Sequence, residues 1–472
     1  MNLETSKLQP GEARCPAQST QDIIAQDKVA APGWVRSESY AYLGSEDISI
    51  DRYIDPAYQK AEFERLWTRT WQFACREEHI PNAGDYYVYD VGPYSFVVTR
   101  LEDGGINAYF NACLHRGTKL KPSGTEGSSS DLTCPFHGWS WNLDGTSKNM
   151  TCAWDFPHAD PDKFKLPQAR VQTLGGFVWI NMDPDAPTLE DYLGPDALAH
   201  INAWRLEDRY IHVHVQKSFP ANWKLTVEAF LEAYHVIITH PQVAPSNADA
   251  NSQYDIYGEH VNRFISTLGV CSPHLEGQYS EQDILDQFTV GDGTMLGADR
   301  PSVGDGTARQ AMADMFRGMF ETATNSDLSS ISDSEILDCF SYTIFPNTYL
   351  FPGISLPMVY RFRPDPRDHR RCIYEVMFMR PVPKDGVRPM PGEVQILTDA
   401  QSFSEADGMD PGFGHILDQD TDNLYAQQEG LEASAKPGIT LGNYQEIRVR
   451  HFEAAVDKYM AMGPMKPDWQ RR

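Results

Sequence analysis

The chain has 472 residues, with 40 Lys+Arg against 66 Asp+Glu for a formal net charge of -26, and is 41% hydrophobic and 11% aromatic. That length suits two or three domains with a substantial core, and the composition is neither disordered, collagenous nor coiled-coil. So acidic a surface repels phosphate backbones and anionic lipid headgroups, which argues against nucleic acid as a partner.

In chain order, residues 1–45 are polar, hold Pro10, Pro16 and Pro32, and show little periodicity, so a loosely ordered arm is expected. The arm lacks the apolar segment of a secretion signal, and no run of 18 or more apolar residues follows. A cytoplasmic protein off the membrane is therefore expected. Phe63, Leu66, Trp67 and Trp71 have helical spacing and predict a helix over 61–75. Short alternating or β-branched runs at 86–91, 94–100, 106–111 and 176–182, separated by Gly, Pro and Asp, predict a compact antiparallel domain. With the preceding helix it occupies 46–185.

The region 186–472 reads as a second domain. Strands are expected at 211–219, 340–351, 358–364 and 371–380, and helices at 224–238 and 444–462. The class is α+β, with an antiparallel sheet packed on a long C-terminal helix. Between them, 272–335 is rich in Gly, Ser and Asp around one helical piece at 308–322, the texture of a lid, a substrate-facing insertion or disorder, and substrate contacts are expected from 225–245, 272–335 and 340–363.

Eight cysteines are too sparse for a disulfide scaffold, and clustered ones in a reducing compartment more often bind metal. Cys113 and His115 are separated from Cys134 and His137 by eighteen residues, as Cys-x-His and Cys-x-x-His. From 8 Cys and 14 His in 472 residues, either spacing arises by chance roughly 0.24 times. Two thiols and two imidazoles on paired loops suit a zinc ion held tetrahedrally. They suit equally a [2Fe–2S] cluster with both sulfurs on one iron and both imidazoles on the other. Gly117 and Gly138 favour the cluster, because glycine lets backbone N–H groups approach sulfur.

The segments CLHRG and CPFHGWSWNLDG resemble the Rieske domain of the Rieske non-haem iron oxygenases. The resemblance implies that Cys113 and Cys134 hold the inner iron and that His115 and His137 hold the outer one. The loop between the pairs is slightly longer than in the family, and Trp141 stands where Tyr or Phe is common.

Downstream, NWKLTVEAFLEAYHVIITHP carries His235 and His240. Residues five apart lie about 140° from one another on an ideal helix, so both can face one metal only if the helix loosens or ends. Two histidines and a carboxylate make the facial triad of non-haem Fe(II) oxygenases. Asp418, Asp420 and Asp422 in ILDQDTDNLYAQQEGL are the candidates for the third ligand. By resemblance the ligand stands eight residues before a Gln and ten before a Gly, which selects Asp420 through Gln428 and Gly430, with Asp418 as the substitute. Asp418 and Asp422 also fit a solvated helix N-terminus.

Glu232 occupies the place of an Asp that, in most members, bridges a catalytic histidine to a Rieske histidine of the neighbouring subunit. A Glu here resembles the carnitine oxygenases, with Glu228 or water the alternative bridge. The resemblance implies a small Rieske domain inserted into a helix-grip catalytic domain, a homotrimer that includes or lacks a β subunit, and a mononuclear Fe(II). Electrons originate from NAD(P)H and come through a separate reductase or a ferredoxin, since no Gly-x-Gly-x-x-Gly unit follows a strand here. The expected activity is O2-dependent hydroxylation of an organic, by resemblance aromatic, substrate, as in aromatic hydrocarbon catabolism. The rival readings are a monooxygenase or demethylase of quaternary ammonium compounds and a non-enzymatic electron-transfer protein.

Overall fold

The computed structural model describes residues 8–290, 301–324, 326–383 and 386–465. The first residues of the expected arm, the last of the second domain, and 291–300 within the expected insertion lie outside them. The helix expected over 61–75 is instead α1, Pro56–Arg65, started by Pro56 at its first position and by Asp55, whose side chain accepts from the Ala57 N–H. Gln72–Arg76 is a strand paired with Phe177–Asn181. Leu66, Trp67 and Trp71 are all fully buried, which is why helix, turn and strand together imitate one amphipathic period.

That strand edges a seven-stranded sheet, continued by Phe177–Asn181, Gln168–Leu174, Ile106–Phe110, Tyr94–Arg100, Asp85–Val91 and Glu126–Ser128. A three-stranded piece, Leu132–Thr133, Ser140–Trp141 and Ser147–Asn149, stands beside it. The first Cys/His loop leaves the strand ending at Phe110, and the second joins the first two strands of the small piece.

The second domain is built on an eight-stranded sheet in the order Gln253–Tyr257, Val261–Ser266, Cys339–Ile344, Thr348–Phe351, Met358–Pro364, Cys372–Pro381, Arg209–Phe219 and Val394–Leu397. Every pairing is antiparallel except that of the last two. The run expected as one strand at 340–351 is two strands.

The helix expected over 224–238 breaks into α2, Trp223–Glu228, and α3, Val236–Thr239, with 229–235 non-helical. In the insertion, α4 (Glu281–Val290) and α5 (Ala308–Thr324) share a small apolar core of Ile284, Leu285, Met312 and Phe316 with Ile336 and Leu337. Two long helices follow, α6 (Pro411–Glu432) and α7 (Ile447–Ala461).

The arm is not loose where it is described. Thr20 Oγ1 donates to the Asn251 carbonyl at 2.9 Å, and the Arg263 guanidinium donates to the Trp34 carbonyl at 2.6 Å. The Trp34 ring meets Trp204 edge-on at 5.0 Å. Its polar composition conceals these anchors, which lie 170 to 231 residues away in sequence.

The two sheets are fastened through Glu375. Its carboxylate takes Arg361 Nε at 2.7 Å, Arg363 Nε at 3.0 Å and His214 Nε2 at 3.1 Å. The same guanidiniums reach across, Arg361 to the Phe73 carbonyl at 3.2 Å and Arg363 to the Asp90 carbonyl at 2.7 Å. Burial opposes ionisation of Glu375, but Arg361 and Arg363 hold its carboxyl well below the usual range. The stabilisation is present above the unfolded carboxylate pKa of about 4.3 and is lost as pH falls through the depressed folded value. Glu375→Gln leaves two buried guanidiniums without their anion, so at neutral pH it should cost about 3–5 kcal/mol and lower the urea midpoint. An unchanged midpoint would remove the fastening role.

Candidate metal centres

The two Cys/His loops repeat one backbone design. The Gly117 N–H donates to the Cys113 carbonyl at 2.8 Å and the Gly138 N–H to the Cys134 carbonyl at 3.1 Å. The Cys113 N–H reaches the Thr118 carbonyl at 2.8 Å, and the Cys134 N–H reaches the Trp139 carbonyl at 2.7 Å. Both loops close through a left-handed glycine, Gly117 at φ +80° and Gly138 at φ +73°, a conformation other residues adopt only with strain.

The closed loops aim amides at sulfur. Burial raises the Cys113 thiol, which touches Cys134, while the backbone N–H groups of His115 and Arg116 pull it the other way. Against its own burial, Cys134 is lowered by the N–H groups of Phe136 and His137. The His115 and His137 rings lie 4.7 Å apart, and His115 stacks on Trp139 at 4.9 Å. His115 Nδ1 is buried and makes no hydrogen bond to protein, as suits a metal-ligand atom.

These donors fall into two pairs rather than around one point. Among the described residues, the only three His, Cys, Asp or Glu donors within 4.8 Å of one another are those of His235, His240 and Asp420. A single tetrahedral zinc needs all four donors about 2.0–2.3 Å away from it, so it does not fit the Cys/His set. Two irons side by side do.

His235, His240 and Asp420 meet because the helix loosens where the sequence needs it to. The unwound 229–235 turns the chain before His235, and one short helix later Pro241 stops it at His240, whose backbone leaves the helical region at φ -123°. Asp420 comes from mid-α6, buried, with Oδ1 2.9 Å from His240 Nε2 and 3.6 Å from His235 Nε2. The acidic run is thus not a helix N-terminus. Asp418 faces away, accepting from Ser402 Oγ and from the Phe403 N–H at 2.9 Å, and Asp422 is exposed. Gln428, two turns beyond Asp420, accepts the Asn222 N–H at 2.9 Å and so ties α6 to the start of α2.

Glu232 Oε1 lies 2.7 Å from His235 Nδ1. Burial opposes protonation of His235, but Glu232 and Asp420 push its imidazole up to about 9. Two carboxylates converging on imidazoles make a site that favours a cation. Glu228, the other candidate bridge, is buried and accepts the Tyr53 hydroxyl at 2.9 Å, and burial with neighbouring Glu453 pushes its carboxyl well above the usual range.

The three donors open onto a cavity of about 270 Å³. Phe230, Val236, Phe351, Met358 and Tyr360 line it from the expected stretches, and Phe316 of α5 lines it from the insertion. Phe264, Leu268, Phe413, His415, Ile416 and Leu417 line it too, and these the sequence did not reveal. Gln242 and Gln419, whose side chains meet beside His240, were likewise missed.

Residues 195–462 match the catalytic domain of the ring-hydroxylating alpha subunits, more than half of the chain. The chain belongs to that family. Residues 70–159 match the Rieske [2Fe–2S] domain, so this alpha subunit carries both the cluster domain and the mononuclear-iron domain. It is 31% identical over 219 residues to the carnitine monooxygenase oxygenase subunit of Escherichia coli K12, covering 46% of this chain and 58% of that one. It is 32% identical over 200 residues to the anthranilate 1,2-dioxygenase large subunit of Acinetobacter baylyi, covering 41% and 42%. The chain thus spans about half the length of these curated relatives. The solved structure of a quaternary ammonium Rieske monooxygenase superposes with a TM-score of 0.62 at 18% identity, over 88% of this chain and 95% of that one.

The geometry separates the two acidic candidates on α6. Asp420→Asn should leave the cluster's visible absorption intact and abolish retention of the mononuclear iron. Asp418→Asn should keep both. Iron counted per chain after gel filtration decides between them.

Proposed function

We propose that this alpha subunit is the oxygenase component of an enzyme that uses O2 and electrons from a separate reductase to hydroxylate an uncharged organic molecule built on an aromatic ring. The observation that carries the reading is a two-histidine, one-carboxylate face opening onto an apolar cavity walled by Phe230, Phe264, Phe316, Phe351, Tyr360 and Phe413. Cys113, Cys134, His115 and His137 would hold the cluster, and His235, His240 and Asp420 the Fe(II). The bound ferrous ion supplies dioxygen activation, and three protein ligands leave positions free for it.

The chain's own residues supply the rest. Aromatic walls exclude water and hold a flat ring by edge and face contacts, and Phe316 brings the insertion over the cavity. At about 270 Å³ the cavity exceeds the roughly 150 Å³ that admits benzene. Among the described residues no Lys or Arg lines it, which disfavours an anionic substrate. A second reading, oxidation of a quaternary ammonium compound, draws on the same rings, whose faces attract an onium group, and on Glu232 and Asp420 beside them. A zwitterion would still bring in a carboxylate that no Lys or Arg among the described lining residues meets. A simple electron carrier would have no use for the cavity.

The assembly reading is a head-to-tail homotrimer. Phe136 and Trp154, 59% and 81% exposed, flank the cluster loops, with the Arg116 guanidinium over the Phe136 ring. Tyr234 and Ile238, 59% and 82% exposed, flank His235. Covering one apolar patch with the other in the next copy is a heterologous contact that closes into a ring. It would set His115 and His137 of one copy near Glu232 of the next, where Glu232 would bridge them to His235. All eight cysteines are free thiols, which suits a reducing cytoplasm.

The reading is tested by anaerobic loading with iron, then turnover with a reductase and 18O2 on neutral aromatic, trimethylammonium and zwitterionic compounds. Label should enter an aromatic product in the wild type and be absent with His235→Ala. Label in the ammonium compounds alone would favour the second reading, and none in any would reject both. In light scattering the wild type should have three times the chain mass, and Ile238→Glu should shift it towards one with its cluster spectrum kept.

A further inference from the structure

Each histidine of the iron site has one ring nitrogen facing Asp420 and another held from behind, and the two holders differ in kind. Behind His235 stands the Glu232 carboxylate, with Oε1 at 2.7 Å from Nδ1 and Oε2 at 3.0 Å from the His235 backbone nitrogen. Behind His240 stands an amide, with Gln419 Oε1 at 2.9 Å from Nδ1. Gln419 immediately precedes Asp420 on α6, so one turn of helix presents both a ligand oxygen and the support for the neighbouring imidazole.

An amide can meet a ring nitrogen in two ways. Its NH2 would donate to a bare Nδ1, whereas its oxygen accepts from a protonated one. On the iron reading His240 Nε2, which faces Asp420 Oδ1 at 2.9 Å, is the donor to the metal, so the neutral ring carries its hydrogen on Nδ1 and the Gln419 oxygen accepts it. Gln242 Nε2 donates to the same oxygen at 2.7 Å, so two N–H groups converge on one carbonyl and use both of its lone pairs.

We propose that Gln419, locked by Gln242, is a positioning residue for the iron site: it sets the ring plane and tautomer of His240 and leaves that imidazole a weaker donor than carboxylate-backed His235. The inference rests on the iron reading above. A carboxylate partner raises the basicity of a ligand imidazole more than a neutral amide does, and removing a partner of either kind commonly weakens metal binding 10–100-fold. Gln242 also lines the cavity and is otherwise exposed, so its substitution disturbs little else.

The test is Fe(II) affinity of the full chain, cluster loaded, by anaerobic competition with a chromophoric chelator. Gln419→Leu should weaken binding about 10–100-fold with the cluster absorption unchanged. Gln419→Glu, which keeps an acceptor oxygen, should restore it, and Gln242→Ala should lose less than Gln419→Leu does. Wild-type affinity in Gln419→Leu overturns the proposal, as does a Gln419→Glu variant as weak as Gln419→Leu, which would mean that an acceptor oxygen at this place does not support the ring. If Gln419→Leu does not fold, Gln242→Ala decides: weakened binding supports the relay and wild-type binding rejects it. Failure of the wild type itself to take up Fe(II) would reject the iron reading instead.

Discussion

On the proposed reading a cation lies between the His240 and Asp420 donors, and the catalytic domain is arranged to bring that pair together. His240 and Asp420 are 180 residues apart in sequence and 2.9 Å apart in space. The sheet beneath them supplies the rigidity. Fully buried Arg448 on α7 donates to Asn262 at 2.6 Å and to Thr343 at 2.9 Å, spanning two strands, and to the Tyr349 hydroxyl at 3.2 Å. Tyr349 in turn donates to the carbonyl of Phe230, in the unwound stretch before His235. A helix that ends early leaves carbonyls without partners. Here one is answered by a tyrosine that α7 holds in place, so the break that lets two histidines converge is supported by the long C-terminal helix.

The same economy of buried charge joins the two domains. Arg361 and Arg363 divide their donors between Glu375 and the backbone of the cluster domain, so the anion keeps both guanidiniums extended at the right length. Taking those charges out of water is expensive, and it is offset only while every donor has an acceptor. The orientation of the cluster domain therefore depends on an ion group in the catalytic sheet. A surface of net charge -26 contributes nothing comparable, because exposed pairs are worth little.

What could be read in advance follows from how local each signal is. Cys113, His115, Cys134 and His137 lie on two loops that close on themselves through Gly117 and Gly138, so spacing alone carried most of the information. His235 and His240 needed a helix break, which Pro241 announced at one end; the unwinding before His235 has no comparable marker. Asp420 could be told from Asp418 only by family pattern, because the difference is made in space: Asp418 is consumed by Ser402 and the Phe403 N–H. Gln419 and Gln242 gave no signal at all, being ordinary polar residues whose meaning arises when α6 lies beside the end of α3. The arm and the 61–75 stretch were misread for a related reason. Composition and period report how much surface is buried, and the partner that buries it stays hidden.

The unequal exposure of the two centres is itself a functional constraint. Buried cysteines backed by amides keep the inner pair of donors dry, while the His115 and His137 loops stand among Phe136 and Trp154, which a lone chain would have no reason to leave in water. The iron-side donors are the reverse: His240 and Asp420 are sealed, and only the His235 side approaches the surface, beside Tyr234 and Ile238. On the proposed reading an electron has to pass between centres, and the shortest insulated route is the one that apposes these two apolar rims and squeezes water from both. Glu232, already bound to His235 at 2.7 Å, is then the acceptor nearest that rim. Its extra methylene relative to aspartate lengthens its reach across such a junction without moving the imidazole it holds.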